Sequence, residues 1–167
     1  SFPTRRSSDL TATNPFFDIS LLPYQAPHFD EITDDHYRPA FDEALRQKRA
    51  DVDAIVSQTA APDFTNTVLA LEKSGAMLSR VSSVFFAMTS ANTNTYLQEL
   101  EEQFSTELAA LANDIWLNDV LFARVESVWQ DRAALDAESR RLAEETYQRF
   151  ILAGARLNET EKAELKA

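Results

Sequence analysis

The chain has 167 residues, no cysteine, only two glycines and a formal net charge of −11. The lack of cysteine excludes disulfides and thiolate metal sites, and the acidic balance argues against nucleic acid, whose phosphates must be met by clustered Lys and Arg. No segment reaches the roughly 20 apolar residues of a membrane span, and even the apolar stretch 81–88 gives way to Thr89-Ser-Ala-Asn-Thr-Asn94.

Residues 1–10, Ser1-Phe-Pro-Thr-Arg-Arg-Ser-Ser-Asp-Leu10, carry no apolar periodicity and look like translated sequencing adapter. They are set aside as a fusion scar would be, and Arg5-Arg6 is not read as a targeting signal. Residues 11–32 hold Pro15, Pro23 and Pro27 among aromatic and apolar residues, a pattern that predicts an extended arm lying over a hydrophobic surface. From Thr33, a candidate cap, the pattern becomes helical, with Phe41, Leu45, Val52 and Ile55 joined by Ala44 and Val56 on one stripe. Pro39 is expected in the first turn or as a break. Asp42 and Arg46, four apart on the outer face, are expected to pair for a few tenths of a kcal/mol.

Ala60-Ala-Pro-Asp63 punctuates the chain, and Thr65 is the expected cap of a second helix using Val68, Leu71, Leu78, Val81, Phe85 and Met88. Gly75 falls inside that stripe, where its cost of about 1 kcal/mol relative to Ala points to a helix crossing closely there. After the polar junction 92–95 comes a third stripe of Leu97, Leu100, Phe104, Leu108, Leu111 and Ile115. A fourth helix is expected from Asn118 or Asp119 with Leu121, Val125 and Val128, and a fifth from the cap Asp136 with Leu142, Phe150 and Ile151, ended by Gly154. Asn158-Glu-Thr-Glu161 has the pattern of a capping box. The six residues that follow are too few for a helix to hold by itself, which reads as truncation. With no run of period two, the predicted class is all α: an extended arm, then about five long amphipathic helices, with 33–167 as a helical amino-terminal domain.

Chemistry is sparse. The only histidines, His28 and His36, have no adjacent Glu with a second His four residues on, as a zinc-binding His-Glu-x-x-His helix requires. Gln25 and Thr33 stand three residues before them, so neither makes a Glu-x-x-His di-iron pair. Both read as hydrogen-bonded or surface imidazoles. Glu99, Glu101, Glu102, Glu144 and Glu145 read as solvated helix faces rather than cation ligands. No Gly-x-Ser-x-Gly elbow or glycine-rich phosphate loop occurs. Phe85, Phe86, Phe104, Trp116 and Trp129 read as core from their helical spacing, with a peptide-binding wall as the alternative, most open for the two tryptophans. No residue is assigned a catalytic, cofactor-binding or metal-ligating role.

One further signal lies outside periodicity. Leu22-Pro-Tyr-Gln-Ala-Pro-His-Phe-Asp30, with Asp35-His-Tyr-Arg-Pro-Ala-Phe41, resembles the amino-terminal opening of the thimet-oligopeptidase-like zinc metallopeptidases. The likeness continues in Phe64-Thr-Asn-Thr-Val-Leu-Ala-Leu-Glu-Lys-Ser-Gly75, Arg80-Val-Ser-Ser-Val-Phe-Phe-Ala-Met88, Ala112-Asn-Asp-Ile-Trp-Leu-Asn118, Leu121-Phe-Ala-Arg-Val125 and Phe150-Ile-Leu-Ala-Gly-Ala-Arg156. It covers about Asn14 to Ala167. The resemblance implies one wall of a channel that admits short peptides, in a cytoplasmic enzyme whose missing carboxyl-terminal part would hold zinc and its His-Glu-x-x-His. This fragment would bind no zinc and be inactive alone. Within the family, the run of matching segments favours the branch that releases dipeptides from a free carboxyl terminus over the branch that cleaves internally. A stand-alone helical interaction module is the alternative outside it.

Overall fold

Residues 14–158 and 160–162 are described by a computed structural model of the chain. The adapter-like residues 1–10 and the first residues of the arm, 11–13, lie outside them. Six α-helices follow the arm, α1 Asp34–Val56, α2 Ala70–Lys73, α3 Ala76–Ala91, α4 Thr95–Trp116, α5 Asp119–Gln130 and α6 Ala137–Leu152, and no strand occurs among the described residues. Five are long; α2 is a single turn.

Local chemistry explains most helix ends. Thr33 precedes α1, and the His36 ring reaches back so that Nδ1 accepts from the Thr33 N–H at 3.1 Å, the role a Glu or Gln takes in a capping box. Asp34 and Asp35 in the first turn suit the positive end of the helix dipole. Pro39 neither opens nor breaks α1 but sits in its second turn, inside a helix that runs on to Val56. Its absent N–H would have met the carbonyl of Asp35 in the first turn, so the loss is confined to the helix start. Asn118 caps α5 by accepting from Leu121 N–H, and Asp136 caps α6 by accepting from Glu138 and Ser139 N–H. Gly154, at φ 95°, turns the chain out of α6. The Asn158 side chain accepts from Thr160 and Glu161 N–H while Glu161 accepts from Asn158 N–H, completing the expected box.

The second helix departs from expectation in two ways. Its cap is Asp63, not Thr65: Asp63 accepts from Asn66 N–H at 2.7 Å while Asn66 Oδ1 accepts from Asp63 N–H at 3.0 Å. A wide π-helical segment, Phe64–Leu69, follows and runs into α2. The helix then stops, because Ser74 is extended and Gly75 adopts the left-handed φ of 73° that glycine tolerates. The close approach inferred at Gly75 is nonetheless present, since a Cβ there would stand 2.5 Å from Lys48 Cδ. On α1, Arg46 pairs with Glu43 at 2.7 Å rather than with Asp42, which is paired with Arg38.

The chain divides into two compact units, one formed by residues up to Lys48 together with Gly75–Thr106, the other by Arg49–Ser74 and the residues from Glu107 on. In the first unit, Phe41 and Phe104 stack with centroids 3.8 Å apart, and Phe85 meets Phe104 and Tyr37 edge-on at 4.8 and 5.0 Å. Phe16 from the arm is buried against Tyr37. The arm is held there by Arg80 donating to Phe16 O at 2.7 Å and by Asn14 Nδ2 donating to His36 O at 2.8 Å. Burial of such rings contributes about 1.5–3 kcal/mol each.

In the second unit, Val68, Val128 and Ala143 pack with Phe64, Leu135 and Leu142. Beside them runs an aromatic row: Trp116 on Phe150, Phe150 on Phe122, Phe122 on Tyr147, and Tyr147 stacked on Trp129 at 4.3 Å.

Candidate functional site

The sequence singles out two histidines, five glutamates and five aromatics, and the fold disperses them. His36 uses Nδ1 in the cap of α1. Half-buried His28 borders an open hollow with Asp18, Ile19, Leu21 and Glu31. Glu99 and Glu102 are exposed on α4. Glu144 and Glu145 on α6 pair with Arg132 and Arg141. Among the described residues, no three His, Asp or Glu side chains converge as a metal ion would require.

Phe85 and Phe104 are fully buried core, whereas Phe86 is half-buried. Trp116 and Trp129 are also half-buried, Trp116 meeting Phe150 in an edge-to-face arrangement and Trp129 stacked face to face on Tyr147. The Arg132 guanidinium covers Trp129 at 4.2 Å from the ring centre, a cation–π contact. Next to it in the row, Arg156 lies over Tyr147, the ring stacked on Trp129, and donates to Glu126 at 3.0 Å.

Three concave surfaces lie in the first unit. A cleft of about 160 Å³ is lined by Phe29, Ile32, Tyr37, Met88 and Leu97, with Asp34, Asn92 and Asn94 as its polar members. Asn94 donates to Asp34 at 2.8 Å. Burial, with the Asp34 charge second, pushes the Tyr37 hydroxyl above its ordinary pKa, so it is a neutral phenol at physiological pH. A shallower trough passes over Phe17 and Pro39 between Asp42, Glu43 and Arg46. Hydrogen bonds from Arg46 and then Gln47 hold the Glu43 carboxyl down to about 2, which keeps it ionised and unable to act as a general acid near neutrality.

Such an arrangement can hold apolar or extended chain against a rigid helical frame. The hydroxyl that stands beside an imidazole, Thr33 Oγ1 at 3.2 Å from His36 Nδ1, belongs to the exposed start of α1, and in the trough Asp42, Glu43 and Arg46 are engaged in ion pairs. Sequence reading missed Tyr37 and Asp34 as lining residues; Tyr37 stands four before Phe41, on the same helical face, and that spacing was the available signal.

The chain is 66% identical over 157 residues to the dipeptidyl carboxypeptidase of Salmonella typhimurium, a match covering 93% of this chain and 23% of the relative. It is 61% identical over 159 residues to the dipeptidyl carboxypeptidase of Escherichia coli, covering 94% of this chain and again 23% of the relative. The chain thus spans about a quarter of the length of these curated relatives. No family model matches it.

Proposed function

We propose that this chain, a homologue of bacterial dipeptidyl carboxypeptidases, is the amino-terminal, non-catalytic part of a peptidase that removes dipeptides from the carboxyl terminus of short peptides. Its helices form a wall of the substrate channel. The observation that carries the reading is identity of 61–66% to two relatives bearing that name, sustained over more than nine-tenths of this chain. Internal cleavage, as in an oligopeptidase, is the second reading, and the names of both relatives favour the first.

Zinc, which the family resemblance implies, belongs in this reading to the remainder of the parent. The residues described here do not fit it: the two histidines are not paired through a helical turn, and no three ligating side chains converge. No catalytic step is therefore assigned to this chain. A cytoplasmic location is part of the same proposal and rests on the family resemblance alone. Among the described residues no helix is long and apolar enough to cross a membrane.

The test is to express the parent reading frame and the present chain separately and to follow an unblocked hexapeptide by mass spectrometry. The parent is expected to shorten it by two residues at a time from the carboxyl end, with loss of activity on chelation. The chain alone is expected to leave it intact. Internal products from the parent would favour the oligopeptidase reading, and chelator-sensitive hydrolysis by the chain alone would overturn the non-catalytic assignment.

A further inference from the structure

Five of the ten large apolar side chains that stand exposed among the described residues fall in one short segment: Ile19, Leu21, Leu22, Tyr24 and Phe29. The arm is anchored through Asn14 and Phe16, and beyond Phe17 its large apolar side chains are left accessible, Leu21 to 98%. Tyr24 and Gln25 also hold left-handed backbone, at φ 58° and 56°, which is unfavourable for residues other than glycine. A run of exposed apolar side chains on strained backbone points to a binding segment rather than to a solvated loop.

We infer that residues 19–29 are a docking surface for the rest of the parent polypeptide, which meets them with an apolar face bordered by Lys or Arg. The inference rests on the reading that the chain is part of a longer peptidase. Two observations select this occupant. The relatives are more than four times as long as the match, so most of the parent is available on the same chain at high effective concentration. Asp18, Asp30 and Glu31 flank the apolar side chains, so a second copy, itself carrying −11, would set like charges together across a two-fold interface. An anionic membrane surface is disfavoured for the same reason.

The test uses the full-length parent carrying Leu21→Cys, and separately Tyr24→Cys, with maleimide labelling at each position read by peptide mass spectrometry. Labelling is expected to be at least roughly tenfold slower than in the urea-unfolded parent, at any protein concentration and without lipid, and to remain slow when whatever the parent carries before Asn14 is deleted. Equal rates at both positions overturn the proposal. Protection lost on dilution assigns the surface to a second copy, protection lost with the residues before Asn14 assigns it to the chain's own start, and protection seen only with anionic vesicles assigns it to a membrane; each outcome overturns it. The readout is independent of catalysis, so an inactive parent would count against the peptidase reading alone.

Discussion

Arg124 Nη2 donates to Asn66 Oδ1 at 3.0 Å, and that same oxygen accepts the Asp63 N–H that completes the cap of the π-helical segment. The guanidinium is buried, and Nη1 donates to the carbonyls of Gln58 and Ala60 at 3.3 and 3.2 Å. One arginine of α5 therefore ties down the whole connection between α1 and the next helical segment. Arg124→Ala is expected to lower stability by about 2 kcal/mol, because charged hydrogen bonds are lost and acceptors are left behind. Urea denaturation would measure this. Arg124→Lys should recover less than half, since an ammonium cannot reproduce the planar fork.

Gly75 supplies the left-handed turn between α2 and α3. Gly75→Ala is expected to destabilise by about 1–2 kcal/mol from backbone strain, with an additional clash at Lys48 Cδ. A thermal melt of Gly75→Ala combined with Lys48→Ala separates the two contributions. The second change should relieve the clash and leave the strain, so full recovery of the melting temperature would show the φ argument to be wrong.

The Phe41–Phe104 stack is completely buried. Phe104→Ala is expected to lower stability by about 3–5 kcal/mol, whereas Phe104→Leu, which keeps most of the volume, should have a clearly smaller effect. Chemical denaturation of both variants checks the ordering.

Glu43 gives a pH prediction whose sign follows from its lowered pKa. The carboxyl titrates at about 2 in the folded chain against an ordinary 4.5, so the stabilisation is present above 4.5 and is lost as pH falls through about 2. The side chains remain partly exposed, so solvent screening keeps the pair's net contribution to stability small. Carboxyl NMR titration should place Glu43 well below the other glutamates, and Arg46→Ala should return it toward 4.5. An unchanged midpoint in Arg46→Ala would remove the arginine as the cause.

Much of the framework was legible from short-range patterns. Apolar stripes located five long helices because burial of one face repeats at the helical period, and the caps at Asn118, Asp136 and Asn158 were readable because a cap side chain reaches only two or three residues. The segments from Leu22 to Arg156 that carry the peptidase resemblance were likewise plain in the sequence, as the 66% identity then reflected. Less of the candidate site was visible: Phe85 and Phe104 followed from their spacing, but the cleft around Tyr37 and Asp34 did not.

The sequence by itself determined the helical class, most helix ends and the lack of a paired-histidine metal motif, all of which depend on neighbours within about one turn or on composition. Tertiary structure alone decided which competing neighbour prevailed. Asp63 rather than Thr65 became the cap, and Arg124, 58 residues from Asn66, donates to the oxygen that the cap shares. The helix through Gly75 broke although the apolar stripe continued, and Pro39 was absorbed because the buried face of α1 continues past it. The two tryptophans found places on the aromatic row, and the outward-facing residues 19–29 were left uncovered. Such outcomes turn on contacts between distant residues, whose energies no local pattern encodes.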